Sequence, residues 1–247
     1  MRFIIMHKTS ARWEAGEAPS PELIERVGGL MGELAKQKVL QSGEGLRASA
    51  EGARLRVSGG RGVVRPGPFP GENELPAGFT ILRAKSLHEA VDWAATEVAV
   101  LGGALGDVEI DVRPVTEAWD IGLVPKPERL ETRRYMALRK ATPATEAGAA
   151  PSPAQRAELA RLADEAGGIG VPLATEIMRP SARGRRYKNS ADGVRVIDGP
   201  FTESKELVAG YVIVEAGSLD EAGRIAERYL DVVEADEVDV RELEDAP

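Results

Sequence analysis

Two stretches of the sequence, 132 positions apart, follow the same pattern. One spans Arg65–Phe79 and the other spans Ile197–Tyr211. Gly-Pro-Phe, Glu-Leu and Ala-Gly-aromatic recur at matching positions in both stretches. A long internal repeat of this kind indicates two copies of one structural unit. We therefore predict a first copy over residues 1–115, a linker over 116–132 and a second copy over 133–247, each copy having the size of an ordinary domain.

The composition excludes several classes of protein. With 43% apolar and 29% charged residues, the chain can bury a hydrophobic core. The absence of cysteine excludes thiol chemistry, and with only two histidines, His7 and His88, we predict no metal and no cofactor, although a carboxylate-only ion site stays open. No apolar run reaches the length of a membrane span. A net charge of −8 makes nucleic acid an improbable partner, and we expect a cytoplasmic protein.

Both copies show the same order of predicted elements, which is strand, helix, strand, hairpin, strand, helix, strand. The opening strands, Phe3–Met6 and Tyr135–Leu138, are apolar on both faces. Such strands are usually covered on both sides. Ser-Pro begins the first helix of each copy and Ser-x-x-Glu begins the second, and both patterns favour helix N-termini.

This order of elements predicts an α+β fold with two ferredoxin-like repeats, each a split βαβ unit with an inserted hairpin. The helices of a repeat cover one face of its sheet. The other face also needs a cover, and the other copy's sheet has the right size and shape. We therefore expect the two repeats to pack sheet to sheet, so that one chain imitates a two-fold dimer and retains the ability to associate further.

Three features together carry a resemblance to a known family. They are the segment Gly43–Leu46, the basic hairpins and the segment Asp198–Phe201. The chain resembles the YCII-related family, in the branch with the Asp-Gly-Pro-Phe motif, over nearly its whole length and twice. The resemblance implies ferredoxin-like units assembled as a dimeric α/β barrel. Some members are similar to small enzymes with a His and Asp pair in the cleft, including a dehydrochlorinase-like type, and others are encoded near sigma factors.

The chain departs from the enzyme-like members at the helix-borne histidine. Arg26 and Glu158 stand at the approximate counterparts of that position, and neither His7 nor His88 falls there. Whether the protein is an enzyme therefore stays open.

Asp198 is the first candidate site residue, as a general base or a ligand contact. In the alternative interpretation its carboxylate accepts backbone amides within the turn, which is the commoner role of a short polar residue there. Pro66 replaces it in the first copy. Glu44 and Glu176 also match between the copies and could form an acid–base or ion-binding pair.

Four basic side chains complete the candidates. Glu44 and Glu176 could instead pair with Arg47 and Arg179, which lie three residues further on. His7 ends the first strand, and its counterpart in the second copy is Arg139. The neighbouring lysines, Lys8 and Lys140, could help to hold an anion.

These residues predict a small anionic ligand in the cleft between the repeats, lined first by Arg139, Glu176, Arg179 and Asp198. The first alternative is a non-enzymatic regulatory module of the sigma-factor-associated type, which contacts a protein partner through the basic hairpins or the acidic tail. On the simpler interpretation these basic residues only protect edge strands. A second alternative is a dehydrochlorinase- or isomerase-like enzyme. A polar pocket containing Asp198 or Glu176 would favour ligand binding, whereas an apolar filling of the cleft would favour the interaction module.

Overall fold

A computed structural model describes residues 1–59, 61–71, 74–101, 107–165, 172–202, 204 and 207–244. The strands are β1 (Arg2–Lys8), β2 (Leu40–Gly45), β3 (Ala53–Ser58), β4 (Arg61–Pro66), β5 (Pro76–Ala84), β6 (Val108–Pro114), β7 (Arg133–Lys140), β8 (Pro172–Ile177), β9 (Gly184–Ser190), β10 (Gly193–Asp198), β11 (Val208–Glu215) and β12 (Glu237–Glu242). The helices are α1 (Ala11–Glu14), α2 (Pro21–Lys36), α3 (Leu87–Leu101), α4 (Pro143–Glu146), α5 (Pro153–Glu165) and α6 (Leu219–Val232). Two short 3₁₀ turns follow β2 and β8, at Ser49–Glu51 and Ser181–Arg183.

The strands form two six-stranded antiparallel sheets, and both sheets combine strands from the two copies. The first has the order β10-β9-β12-β1-β11-β2 and the second has the order β4-β3-β6-β7-β5-β8. Each sheet thus contains the first two strands of one copy and the last four of the other. This differs from the expectation that each copy forms its own sheet, because the predicted copies 1–115 and 133–247 both contribute strands to each sheet.

The chain crosses between the sheets directly after β2 and β8. At these points Leu46 forms an isolated bridge with Val115, and Met178 forms one with Leu243. The sequence repeat could not predict that strands of one copy join the sheet of the other, because the two copies offer nearly equivalent strands as pairing partners.

Apolar side chains fill the space between the two sheets. One buried cluster takes residues from both sheets, including Ile4 and Tyr211 of the first and Phe79 and Met136 of the second. The rings of Phe79 and Tyr211 lie 4.8 Å apart between centroids. The outer face of the first sheet packs against α2 and α6, and that of the second packs against α3.

The helix starts follow the predicted caps. Ser20 accepts the amide of Leu23 at 3.2 Å, and Ser218 accepts the amide of Glu221 at 3.2 Å. The Glu221 carboxylate accepts the amide of Gly217 at 2.8 Å, one residue before the cap. None of the described helices is both long and apolar enough to cross a membrane.

The Gly-Pro-Phe segment of each copy packs against the 3₁₀ turn of the same copy. Phe201 donates its amide to Ser181 Oγ at 2.9 Å, and Ser181 donates its own amide to the Glu146 carboxylate at 2.9 Å. A Cβ on Gly199 would approach the Ser181 carbonyl far inside 3.0 Å, a distance that real Cβ atoms do not reach. Ser49, Glu14, Gly67 and Phe69 repeat these contacts in the first copy. The glycine is therefore required by close backbone packing, which gives the segment a structural role in both copies.

Candidate functional site

Asp198 lies at the exposed end of the edge strand β10. Its side chain is 77% exposed and accepts a hydrogen bond from Arg185 at 2.8 Å. Arg185 also pairs with Asp220. Glu176 lies in the edge strand β8 of the other sheet, and neither of these two predicted site residues lines the pocket described below.

Glu44 and Glu176 make ion pairs that join the two sheets. Glu176 pairs with Arg2 at 2.7 Å, and Glu44 pairs with Arg134 at the equivalent place. Burial raises the pKa of Glu44, while Arg134 opposes the shift.

The expected pairs of these glutamates with Arg47 and Arg179 are absent from the described residues. Arg47 pairs with Glu51 at 2.7 Å, and Arg179 pairs with Glu242 at 3.1 Å. The expectation is wrong because side chains three residues apart in an extended chain point to opposite sides.

A buried charge cluster, here called the Lys140 cluster, consists of Arg54, Glu74, Asp111 and Lys140. Asp111 accepts from Arg54 Nε at 2.6 Å and lies 2.7 Å from Lys140 Nζ. Arg54 also reaches Glu74 at 2.8 Å and stacks over the ring of Phe69 at 4.5 Å. Burial alone would raise the pKa of Asp111, but Lys140 and Arg54 outweigh it and hold the pKa below its usual value.

The equivalent Lys8 cluster consists of Lys8, Arg186, Glu237 and Asp239. Asp239 lies 2.8 Å from Lys8 Nζ and 2.7 Å from Arg186 Nε, and Arg186 stacks over Phe201 at 4.5 Å. The carboxylates of both clusters are ion-paired, so neither resembles a poised general base. No group of acidic or histidine side chains suited to a metal ion occurs in the described parts of the chain.

The ends of the two opening strands carry different polar pairs at equivalent positions. His7 Nδ1 lies 2.9 Å from the Tyr229 hydroxyl, whereas Arg139 pairs with Glu97. Burial lowers the pKa of His7 to about 4, and the positive charge of Arg113 adds to the effect. His7 is therefore neutral at pH 7.

Glu97 is a buried carboxylate with incomplete pairing. Its side chain is 1% exposed, and Oε2 has no hydrogen-bond partner within the described residues. Burial raises the pKa of Glu97, although Arg139 and Thr80 oppose the shift. A carboxyl group in this state takes up a proton more readily than an exposed one.

A small pocket lies at the end of β7, beside Arg139 and Lys140. Its volume is about 20 Å³, it is partly open to solvent, and it has room for about one water molecule. The residues that line it are Ala77, Val108, Arg139, Lys140, Thr142, Thr145, Ala149, Pro151, Ile177 and Met178. It therefore combines residues from both copies.

The sequence predicted this pocket only in part. Among the predicted site residues, Arg139 lines it together with Lys140, which was expected to help hold an anion. Thr142 and Thr145 were missed. A comparison of the two copies could have drawn attention to Thr145, because the first copy has Trp13 at the equivalent position.

The architecture defines a tandem protein built from two copies of one α+β unit. The family model for the YCII-related domain matches residues 1–112 and again residues 134–245. The chain therefore belongs to the YCII-related family and carries the domain twice, as the sequence predicted.

Comparison with curated proteins adds one relative. The chain is 40% identical over 58 residues to the uncharacterized protein R00369 of Rhizobium meliloti (strain 1021). The match covers 24% of this chain and 44% of that protein, so less than half of the relative is compared. No solved structure matches the chain.

Proposed function

We propose that this tandem YCII-related protein binds a small anion in the pocket at the end of β7. The observation that carries the proposal is that Arg139, Lys140, Thr142 and Thr145 all line one pocket. The two copies, whose sheets we take to form a pseudo-dimer of ferredoxin-like units, each supply part of its wall. A pocket of this volume accepts one carboxylate or phosphate oxygen, and the rest of the ligand would remain at the open mouth.

Several donors of the pocket retain capacity for a ligand. Lys140 carries three N–H donors, and its pairs with Glu74 and Asp111 use two of them. The Thr142 oxygen accepts the amide of Thr145 at 3.2 Å, which leaves its own proton for donation. These donors suit an oxyanion, because charged donors make the stronger hydrogen bonds.

The state of Glu97 should control the affinity of this pocket. The carboxylate balances the charge of Arg139 when it is ionised, and it leaves that charge unbalanced when it is protonated. Anion binding should therefore tighten as the pH falls through the raised pKa of Glu97. An affinity that does not increase on acidification would contradict this coupling.

Thr145→Trp provides the direct test, because it gives the second copy the residue that stands in the first. The assays are calorimetric titration and thermal shift with phosphate, sulfate and oxalate. We expect at least about a tenfold loss of affinity in Thr145→Trp, since the larger side chain would occupy the pocket. Trp13→Thr is the matched control and should bind as the wild type does. Equal binding by Thr145→Trp and wild type, or no binding to the wild type, would refute the proposal.

The alternative of an interaction module gains support from the apolar filling between the sheets. The enzyme alternative needs an acid–base pair. His7 is neutral and bound to Tyr229, and the candidate carboxylates Glu44, Glu176 and Asp198 are ion-paired, so the described residues do not favour that alternative.

A further inference from the structure

The hairpin of β3 and β4 ends the second sheet with an uncovered strand. β4 is the edge strand, and all six of its residues are exposed. Val63 and Val64 are 54% and 51% exposed. An edge strand offers a row of unpaired backbone N–H and C=O groups, which can pair with a further strand.

Three arginines surround Val63 on one face of this hairpin. Arg56 lies opposite Val63, and Arg61 and Arg65 lie two residues to either side of it along β4. Residues in these positions share one face of a sheet. All three arginines are exposed, and none makes an ion pair within the described parts of the chain.

The second hairpin, formed by β9 and β10, has the same backbone arrangement without this arginine face. Gly193 and Ile197 stand where the first hairpin has Arg61 and Arg65. In this hairpin Arg185 pairs with Asp198 and Lys188 pairs with Glu237 at 2.5 Å, which leaves Arg195 as a single exposed arginine at the position equivalent to Val63. The group of three exposed arginines around one residue is therefore found in the first hairpin and does not follow from the fold.

We propose that β4 binds an extended acidic peptide segment by strand addition. The backbone of the segment pairs with the free edge of β4, its carboxylates contact Arg61 and Arg65, and an apolar side chain between them packs on Val63. Arginine suits this role because its planar guanidinium binds a carboxylate through two parallel hydrogen bonds. An acidic peptide is favoured over nucleic acid, because the protein as a whole carries a net charge of −8 and repels a polyanion over a long contact. An acidic segment can be short enough to meet only this hairpin.

The test uses the full-length protein and a fluorescein-labelled ten-residue peptide that repeats Glu-Ser-Val-Ser, so that glutamate and valine alternate along one face of the extended peptide. Fluorescence anisotropy at low ionic strength measures binding to the wild type, to the double variant Arg61→Glu/Arg65→Glu and to Arg195→Glu. Arg195→Glu is the control for charge reversal on the equivalent edge strand β10, where it reverses one charge and the double variant reverses two. We expect the double variant to bind about tenfold more weakly or worse, from two lost exposed ion pairs and added repulsion, and the control to stay within about twofold.

Two further probes separate strand addition from simple charge attraction. The same peptide methylated at alternate backbone nitrogens keeps its charge but loses donors for pairing, so it should bind more weakly than the unmodified peptide. A ten-nucleotide oligothymidylate tests for nucleic acid. Equal binding of the methylated peptide, tighter binding of the oligonucleotide or equal binding by the double variant would overturn the proposal. So would an absence of peptide binding, since it would show that the arginines only protect the edge strand.

Discussion

Gly199→Ala should destabilise the protein strongly, because the new methyl group has no space. The Cβ would meet the carbonyl of Ser181 far inside 3.0 Å and the Cα of Ala182 at 3.2 Å. Both neighbours are backbone atoms, so no side chain can rotate away. The Gly-Pro-Phe turn would have to move off the 3₁₀ turn, and two hydrogen bonds would lengthen, namely Gly199 N–H to Gly184 O at 3.0 Å and Phe201 N–H to Ser181 Oγ at 2.9 Å.

The cost follows from these contacts. Overpacking in a filled site costs about 1–3 kcal/mol. Each weakened hydrogen bond adds about 0.5–1.5 kcal/mol. The free energy of unfolding of Gly199→Ala should therefore fall by roughly 2–6 kcal/mol, and Gly67→Ala should show a similar loss because the first copy has the same contacts.

Urea unfolding followed by far-ultraviolet circular dichroism measures this loss. Gly28→Ala is the matched control, because no atom outside the local helix backbone lies within 4 Å of a Cβ at that position in α2. Alanine there should stabilise the protein by up to about 1 kcal/mol through higher helix propensity. A loss below about 1 kcal/mol in Gly199→Ala would refute the structural role of the segment.

Three further predictions concern charge and topology. Titration of the His7 imidazole by NMR should give a pKa near 4, and a midpoint above 6 would contradict the buried pair with Tyr229. The folded state binds this proton more weakly than the unfolded state does. The free energy of unfolding should therefore fall by roughly 2–3 kcal/mol as the pH is lowered from 6.5 to 4. Lys140→Met should lower the free energy of unfolding in urea by about 3–5 kcal/mol, because it breaks a buried ion pair and leaves Asp111 with one cation fewer. A loss below about 1 kcal/mol would argue against the Lys140 cluster. Residues 133–247 alone should form a homodimer in light scattering, because the strands that pair with β7 and β8 lie in the first copy. A stable monomer would contradict the sharing of sheets between the copies.

Features that depend on neighbouring residues were predictable from the sequence. The serine caps at Ser20 and Ser218 were expected from adjacent residues, and the structure confirms them. The repeat also revealed the family, and the match of the YCII-related domain to both copies confirms it. Such features are encoded locally or recur in register, so reading along the chain is enough to find them.

Features that depend on distant partners were decided by the tertiary structure. The sequence could not tell whether β1 pairs with strands of its own copy or with β11 and β12, because the two copies offer similar strands. The choice depends on where the chain crosses between the sheets. The ion pairs of Glu44 and Glu176 were missed for the same reason, since their partners lie 90 and 174 positions away. The pocket beside Arg139 likewise exists only after both copies come together. The sequence by itself therefore determined the repeated unit, its caps and its family, whereas only the tertiary structure decided which strands share a sheet and which charges meet.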